Sequence, residues 1–95
     1  MLIAISTYTK SLEEVDVHRK PHVDYLQAFI SAKKLLAAGR QTPPTGAIII
    51  ARNLSLDAFK KILDEDPYCL AGVAEYKILE FNPVLCDEAF RTFIS

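Results

Sequence analysis

The spacing of hydrophobic residues changes several times along the chain, and each change predicts a different element. Leu2-Ile3-Ala4-Ile5 is a short apolar run rich in strand formers, which predicts a strand over residues 2–8 that is covered on both faces. The polar stretch from Lys10 to His18 predicts a connection with about one turn of helix. From Pro21 to Ala38 apolar residues recur at three and four positions, which predicts an amphipathic helix of about five turns, with Gly39 as its left-handed cap.

The second half of the chain again contains strand-like apolar runs and segments with helical spacing of apolar residues. Two prolines between Gln41 and Thr45 allow only a short edge strand there, whereas the apolar run from Gly46 to Asn53 predicts a strand in the middle of a sheet. Ser55 is suited to cap a second helix, which must end before Pro67.

Two further elements follow the second helix. Residues 73–81 alternate between apolar and polar side chains, which predicts a strand with one face in water. Beyond Asn82-Pro83 the apolar residues return to helical spacing and predict a short helix in the tail, residues 84–95. Within the first helix, we assign Tyr25 and Phe29 to the core.

This order of elements predicts an α+β fold of the ferredoxin-like (βαββαβ) class, with an antiparallel sheet, two helices on one face and an added C-terminal helix. The strands at residues 2–8 and 46–53 are apolar on both faces, although helices cover only one. A second subunit or the tail must cover the other face, and we expect a homodimer packed sheet to sheet.

Length and composition limit the remaining choices. The length predicts a single domain, residues 1–95, with a core at 1–83, and a chain of this size buries only about two-thirds of its unfolded surface. Apolar residues make up 51% and charged residues 24%, and the net charge of −1 gives no electrostatic reason to expect nucleic acid or an anionic membrane as a partner. The N-terminus reads as neither a signal peptide nor a membrane span, so we expect a cytoplasmic protein.

The two cysteines, Cys69 and Cys86, lack metal-ligand spacing to each other or to the histidines. In a reducing compartment we expect them to be small apolar fillers. We therefore expect no disulfide, no metal and no cofactor.

His22 is the most plausible catalytic side chain. It directly follows Pro21 at a helix start, where free backbone N–H groups and the positive end of the helix dipole are concentrated. This position favours the neutral imidazole, which suits a general base or a hydrogen-bond donor near neutral pH. A partly exposed cap residue is the alternative interpretation, and we expect His18 in a loop.

A second unusual feature is the acidic run Asp64-Glu65-Asp66 before Pro67-Tyr68. Carboxylates at a helix C-terminus lie at the unfavourable end of the dipole, at a cost of roughly a few tenths of a kcal/mol each when exposed. Such a local conflict is typical of functional sites. A solvated helix end, or an Asx-type turn of Asp66 before Pro67, explains the run without function.

Several short motifs, in this order and separation, resemble the YciI-like (YCII-related) family. They are a histidine that opens the first helix, the pair Ala38-Gly39, the step Asp66-Pro67-Tyr68, and Ala71-Gly72-Val73 before the last strand. The resemblance runs from about Arg19 to Pro83. It implies a dimeric α+β barrel of ferredoxin-like subunits, with a His-Asp pair in a cleft beside the sheet.

By this resemblance, His22 and Asp66 form the catalytic pair, and Arg19 matches an arginine often seen three residues before the histidine. Asp66 would fix the tautomer of His22 and leave its other ring nitrogen free to exchange a proton, while its charge would oppose the effect of the helix dipole. Arg19 could hold a carboxylate or enolate oxygen, and Tyr68 or Ser6 could donate to developing negative charge.

The function remains open between classes. No serine or cysteine lies in a recognisable nucleophile motif, which favours proton transfer, and lyase, isomerase or dehydrohalogenase chemistry on a small organic acid or ring compound fits. A non-catalytic module that binds a small ligand or serves assembly is the second hypothesis. Fold analogy alone adds haem or quinone oxygenases. The segment Arg40–Thr45 is shorter than the loop of many relatives and the tail after Pro83 is longer, so the substrate does not follow from the family.

Overall fold

A computed structural model describes residues 1–94 of the chain. In chain order the elements are β1 (Leu2–Tyr8), α1 (Leu12–Val17), α2 (Arg19–Ser31), β2 (Leu35–Arg40), β3 (Ala47–Ala51), α3 (Leu56–Asp64), α4 (Pro67–Leu70), β4 (Ala74–Glu80) and α5 (Glu88–Ile94). The four strands form one antiparallel sheet in the order β2-β3-β1-β4. The predicted ferredoxin-like α+β class is confirmed, with β3 as an inner strand.

The long helix predicted for residues 21–38 is wrong in its second half, because α2 covers only the first part of that range. Residues 35–40 instead form β2, an edge strand that pairs with β3. The edge strand expected within residues 41–45 therefore lies earlier in the chain, and Gly39 belongs to it rather than to a helix end. Leu35 is 2% exposed. Burial and strand pairing outweigh the helix propensity of the leucines and alanines in this segment.

Lys33, rather than Gly39, is the left-handed residue that ends α2, with a φ angle of 62°. The N–H groups of Lys33 and Lys34 donate to carbonyls of the last helical turn at 3.0 and 2.9 Å, which is the Schellman pattern. Gly72, with a φ of 71°, ends α4 by the same pattern. The left-handed conformation costs about 1–2 kcal/mol for a residue with a side chain, so α2 ends less favourably than α4.

The N-termini of two helices are capped by serines. Ser55 accepts the backbone N–H of Ala58 at 3.1 Å, as predicted for the start of α3. Ser11 accepts from Glu14 at 3.2 Å, and the connection predicted for residues 10–18 therefore contains the six-residue helix α1.

Two apolar clusters fill the space between the sheet and the helices. Tyr25 and Phe29 pack against the larger one, as predicted, and Tyr8 packs against the smaller one. The larger cluster consists of Leu2, Ala4, Leu26, Leu35, Ile49, Ala51, Phe59 and Leu63, and the smaller one of Val15, Tyr68, Val73 and Ala74.

The opposite face of the sheet remains apolar and accessible within residues 1–94. Neighbouring strands bring apolar residues side by side there, because Ile3 pairs with both Ile50 and Leu79. Ile48 is 37% exposed and Leu79 is 41% exposed. We call this surface the open face, and it consists of Ile3, Ile5, Ile48, Ile50 and Leu79.

Candidate active site

Three of the predicted site residues, Arg19, His22 and Tyr68, line one cavity between α2 and the sheet. Its volume is about 210 Å³. Apolar walls come from both core clusters, with Leu26 and Ile49 from the larger cluster and Tyr68 from the smaller one. Pockets for drug-sized ligands occupy roughly 300–1,000 Å³, so this cavity suits a smaller molecule, such as one with a single ring.

The structure brings His22 and Asp66 into contact, although they are 44 positions apart in the sequence. His22 Nδ1 lies 2.6 Å from Asp66 Oδ1, and the two side chains are 9% and 0% exposed. Because an ionised carboxylate only accepts hydrogen bonds, Nδ1 carries the ring proton and donates it to Oδ1. This contact fixes the tautomer in which Nε2 is the free acceptor.

Asp66 is placed differently from its two acidic neighbours. Helix α3 ends at Asp64 with Glu65 as its C-cap, and Asp66 is the N-cap residue of α4, directly before Pro67. Asp64 and Glu65 are exposed, which agrees with a solvated helix end. The carboxylate of Asp66 makes no capping bond to α4 and turns into the protein, so an Asx-type turn does not account for it.

Tyr76 on β4 is a third member of this buried group, and the sequence analysis did not identify it. Its hydroxyl donates to Oδ2 of Asp66. Burial, the negative charge of Asp66 and this hydrogen bond raise the pKa of Tyr76 well above its usual range, so the phenol remains a donor. Both carboxylate oxygens therefore accept hydrogen bonds, and the chain Tyr76–Asp66–His22 orients the imidazole.

Tyr68 packs against the face of the His22 ring and helps to hold it in place. The two rings stack with centroids 3.7 Å apart and planes 8° from parallel. Tyr68 is 2% exposed, and burial raises the pKa of its phenol, against the opposing effect of the nearby Arg40 guanidinium. Its hydroxyl therefore stays protonated and available as a donor.

The other two predicted site residues lie differently with respect to the cavity. Arg19 begins α2, one turn before His22, and its exposed side chain lines the cavity. Ser6 is 1% exposed and lies in the wall behind the lining, where its Oγ accepts the N–H of Ala47 at 2.8 Å. A side chain at Gly46 would clash with the carbonyl of Ser6, so this close approach requires glycine. A contact between Ser6 and substrate stays a prediction.

A charged part of the cavity wall was also missed by the sequence analysis. Arg40, the last residue of β2, donates from Nε to the hydroxyl of Tyr8 at 3.1 Å and from Nη2 to Asp16. Arg40 and Tyr8 both line the cavity. The hydrogen bonds to Asp16 and then Tyr8 raise the pKa of Arg40 above its usual range, so the cation is permanent. Because the sequence analysis extended the predicted helix to residue 38, it did not place Arg40 on a strand whose end lines the cavity.

Other features lie outside this cavity. A larger, more open cavity of about 740 Å³ lies where Met1, Arg52 and α5 meet, and it holds none of the predicted site residues. Cys69 packs with its Sγ 3.9 Å from the carbonyl of Ala74, and burial raises its pKa to about 11. Within residues 1–94 no group of three or more His, Cys, Asp or Glu side chains is placed to hold a metal ion. No helix in that range has the length and apolar character needed to cross a membrane.

The sequence profile of the YCII-related domain matches residues 1–82. No curated protein matches the chain. Among solved structures, the chain is similar to 5-chloro-2-hydroxyhydroquinone dehydrochlorinase (TftG) from Burkholderia phenoliruptrix AC1100, determined in complex with 2,5-dihydroxybenzoquinone. The TM-score is 0.64 and the identity 19%, over 86% of this chain and 94% of that chain. At this identity the similarity shows a shared fold.

Proposed function

The chain belongs to the family of YCII-related domains, and from this premise we propose that it is a small enzyme whose His22 and Asp66 transfer a proton on a small organic acid or ring compound. The 2.6 Å contact between His22 Nδ1 and Asp66 Oδ1 carries this proposal. This contact keeps the ring proton on Nδ1 and leaves Nε2 unprotonated, so that Nε2 can act as a base. The 210 Å³ cavity that His22 lines has room for a small substrate.

In the proposed mechanism, Nε2 of neutral His22 removes a proton beside a carbonyl or hydroxyl group of the substrate. Asp66 stabilises the imidazolium that forms, and the hydroxyl of Tyr76 keeps the carboxylate aligned. In an elimination, the electrons of the broken C–H bond form a double bond, and the leaving group departs with the electron pair of its bond to carbon. In an isomerisation, the same proton returns to a different atom.

The substrate would be held by the polar groups of the cavity. Arg19 is suited to a carboxylate or enolate oxygen, and Tyr68 can donate to developing negative charge. The structural neighbour is named as a dehydrochlorinase of a chlorinated hydroxyhydroquinone and was solved with a dihydroxybenzoquinone. Loss of hydrogen halide from a hydroxylated ring is therefore one reaction that the proposal includes, as a lyase-type or dehydrohalogenase-type step.

We further propose that the protein works as a cytoplasmic homodimer joined through the open face. Exposed Ile48 and Leu79 support this assembly, because contiguous apolar surface on a small domain favours coverage by a partner. A chain of 95 residues also gains stability from burying additional surface.

The test compares the wild type with His22→Gln on halogenated hydroxyhydroquinones and related small acids. Removal of the general base should lower turnover by about 10²–10⁴-fold while assembly stays as in the wild type. The free energy of unfolding should fall, because the variant leaves Oδ1 of buried Asp66 without the donor that it has at His22. His18→Gln is the matched control and should retain turnover. Equal turnover by His22→Gln and the wild type would contradict the proposal. Saturable binding of these compounds without turnover by the wild type would favour the non-catalytic ligand-binding module.

A further inference from the structure

We propose that Arg40 and Tyr8 form an anion-binding subsite of this cavity, and that the natural ligand is a small planar compound bearing a negatively charged oxygen, such as a phenolate, enolate or carboxylate. The inference rests on the proposed function for the identity of the cavity. It adds a substrate class and two residues that had no assigned role.

The charge of the lining supports an anionic ligand. Two guanidinium groups, those of Arg19 and Arg40, line the cavity, and none of its lining residues within the described part of the chain is an aspartate or glutamate. The Asp66 carboxylate lies behind His22 at 0% exposure and already accepts from two donors. A ligand therefore meets positive charge without an unpaired carboxylate.

Burial and two hydrogen bonds hold the guanidinium of Arg40 at the wall of the cavity. Its side chain is only 23% exposed, and two of its N–H groups are used by Tyr8 and Asp16. The remaining N–H donors of the planar guanidinium are available to a ligand oxygen. Asp16 does not line the cavity, but its direct contact with Nη2 offsets part of the Arg40 charge, so the subsite acts through directed N–H donors as well as through charge.

Tyr8 completes the subsite with a directed proton. Because Oη of Tyr8 accepts the Nε–H of Arg40 at 3.1 Å, its own O–H points to a different acceptor. The hydroxyl and the guanidinium line the same cavity as the imidazole of His22. One small ligand can thus place its anionic oxygen at Tyr8 and Arg40 and its reacting group at Nε2.

The experiment measures the binding of benzoate and of its neutral counterpart benzamide by NMR titration. Benzoate should bind the wild type and lose affinity by about tenfold or more in Arg40→Gln, while the weaker binding of benzamide should change little. Tyr8→Phe should weaken benzoate binding by a smaller factor. Because this variant keeps the ring, it also tests the subsite if Arg40→Gln fails to fold. Arg52→Gln in the other large cavity is the matched control and should bind as the wild type does.

The outcomes separate this inference from the proposed function. His22→Gln should still bind benzoate, so loss of turnover in that variant with retained binding supports both. The subsite is overturned if benzamide binds as tightly as benzoate, if benzoate shows no saturable binding, or if neither Arg40→Gln nor Tyr8→Phe weakens it. Each of these results can occur while His22 remains essential for turnover.

Discussion

The imidazole of His22 lies flat on the phenol ring of Tyr68, with centroids 3.7 Å apart and planes 8° from parallel. The contact is independent of the bond from Nδ1 to Asp66, which acts in the plane of the ring. Together the two contacts fix both the tilt of the imidazole and its rotation about the side chain. Nε2 is therefore held in one direction before any ligand arrives, which is the preorganisation that proton transfer requires.

Asp66→Asn should lower turnover by about 10–100-fold, because the neutral amide no longer stabilises the imidazolium that forms when Nε2 of His22 takes a proton. Steady-state turnover of the wild type and the variant measures this effect. His18→Gln, which changes the other histidine of the chain, is the control and should keep wild-type turnover. Equal turnover by Asp66→Asn and the wild type would contradict the role assigned to the pair.

Tyr76→Phe should lower the free energy of unfolding by about 1.5–3 kcal/mol, because it leaves a buried carboxylate oxygen of Asp66 without its donor. Urea unfolding measures this quantity. A variant as stable as the wild type would contradict the role assigned to Tyr76.

Alkaline pH should weaken the fold through Tyr25. Its hydroxyl donates to the carbonyl of Ile62 at 2.7 Å, and burial, then the charges of Glu65 and Asp66, raise its pKa from 10.0 to about 12. Since the folded-state value lies above the unfolded one, this contribution is complete below pH 10 and is lost as the pH rises to about 12. Tyr25→Phe should show a smaller fall in unfolding free energy over that range, whereas an unchanged slope would count against the shift.

Substitutions at the two left-handed helix ends should change the free energy of unfolding in opposite directions. Lys33→Gly should raise the free energy of unfolding by up to about 1 kcal/mol, because glycine adopts this conformation without steric cost. Gly72→Ala should lower it by about 1–2 kcal/mol. A Cβ at Gly72 meets nothing within 4 Å, so the loss comes from the backbone and not from a clash. Denaturant unfolding of both variants checks the two signs.

The open face gives a test of assembly. Light scattering at micromolar concentration should show a dimer for the wild type and a monomer for Ile48→Lys. Dimerisation of the variant would bury the lysine ammonium group in an apolar interface, which is unfavourable. Leu70→Lys provides the control, since Leu70 is 74% exposed and lies on α4, not on the open face. A monomeric wild-type protein would refute the dimer.

Periodicity in the sequence was sufficient for β1, β3, β4 and α3, because each of these has an apolar run or a regular apolar spacing that is bounded by turn or cap residues. It failed at residues 35–40, where leucine and alanine favour a helix locally and only pairing with β3 makes a strand. That single error also misplaced the edge strand and the left-handed cap.

The candidate site was predictable in part. The family resemblance supplied the His22–Asp66 pair, whereas the acidic spacing alone could not, because the contact spans 44 positions. The alternation of residues 73–81 implies that Tyr76 lies on the face away from water, but its hydrogen bond to Asp66 depends on how α4 packs against the sheet. The sequence analysis missed Arg40 because it did not predict β2, the strand that ends at this residue.

The position of Tyr76 in β4 has a consequence for how the sheet forms. Its neighbours Glu75 and Lys77 are both charged, and the observed pairing sets Tyr76 opposite Ser6. A slip of one residue would turn each side chain of β4 to the other face and bring a carboxylate or an ammonium group beside buried Asp66. A second carboxylate there would repel Asp66, and a buried ammonium would lose its water. The hydroxyl–carboxylate bond is made only in the observed strand alignment, so the contact that orients the imidazole also favours the correct pairing of β4.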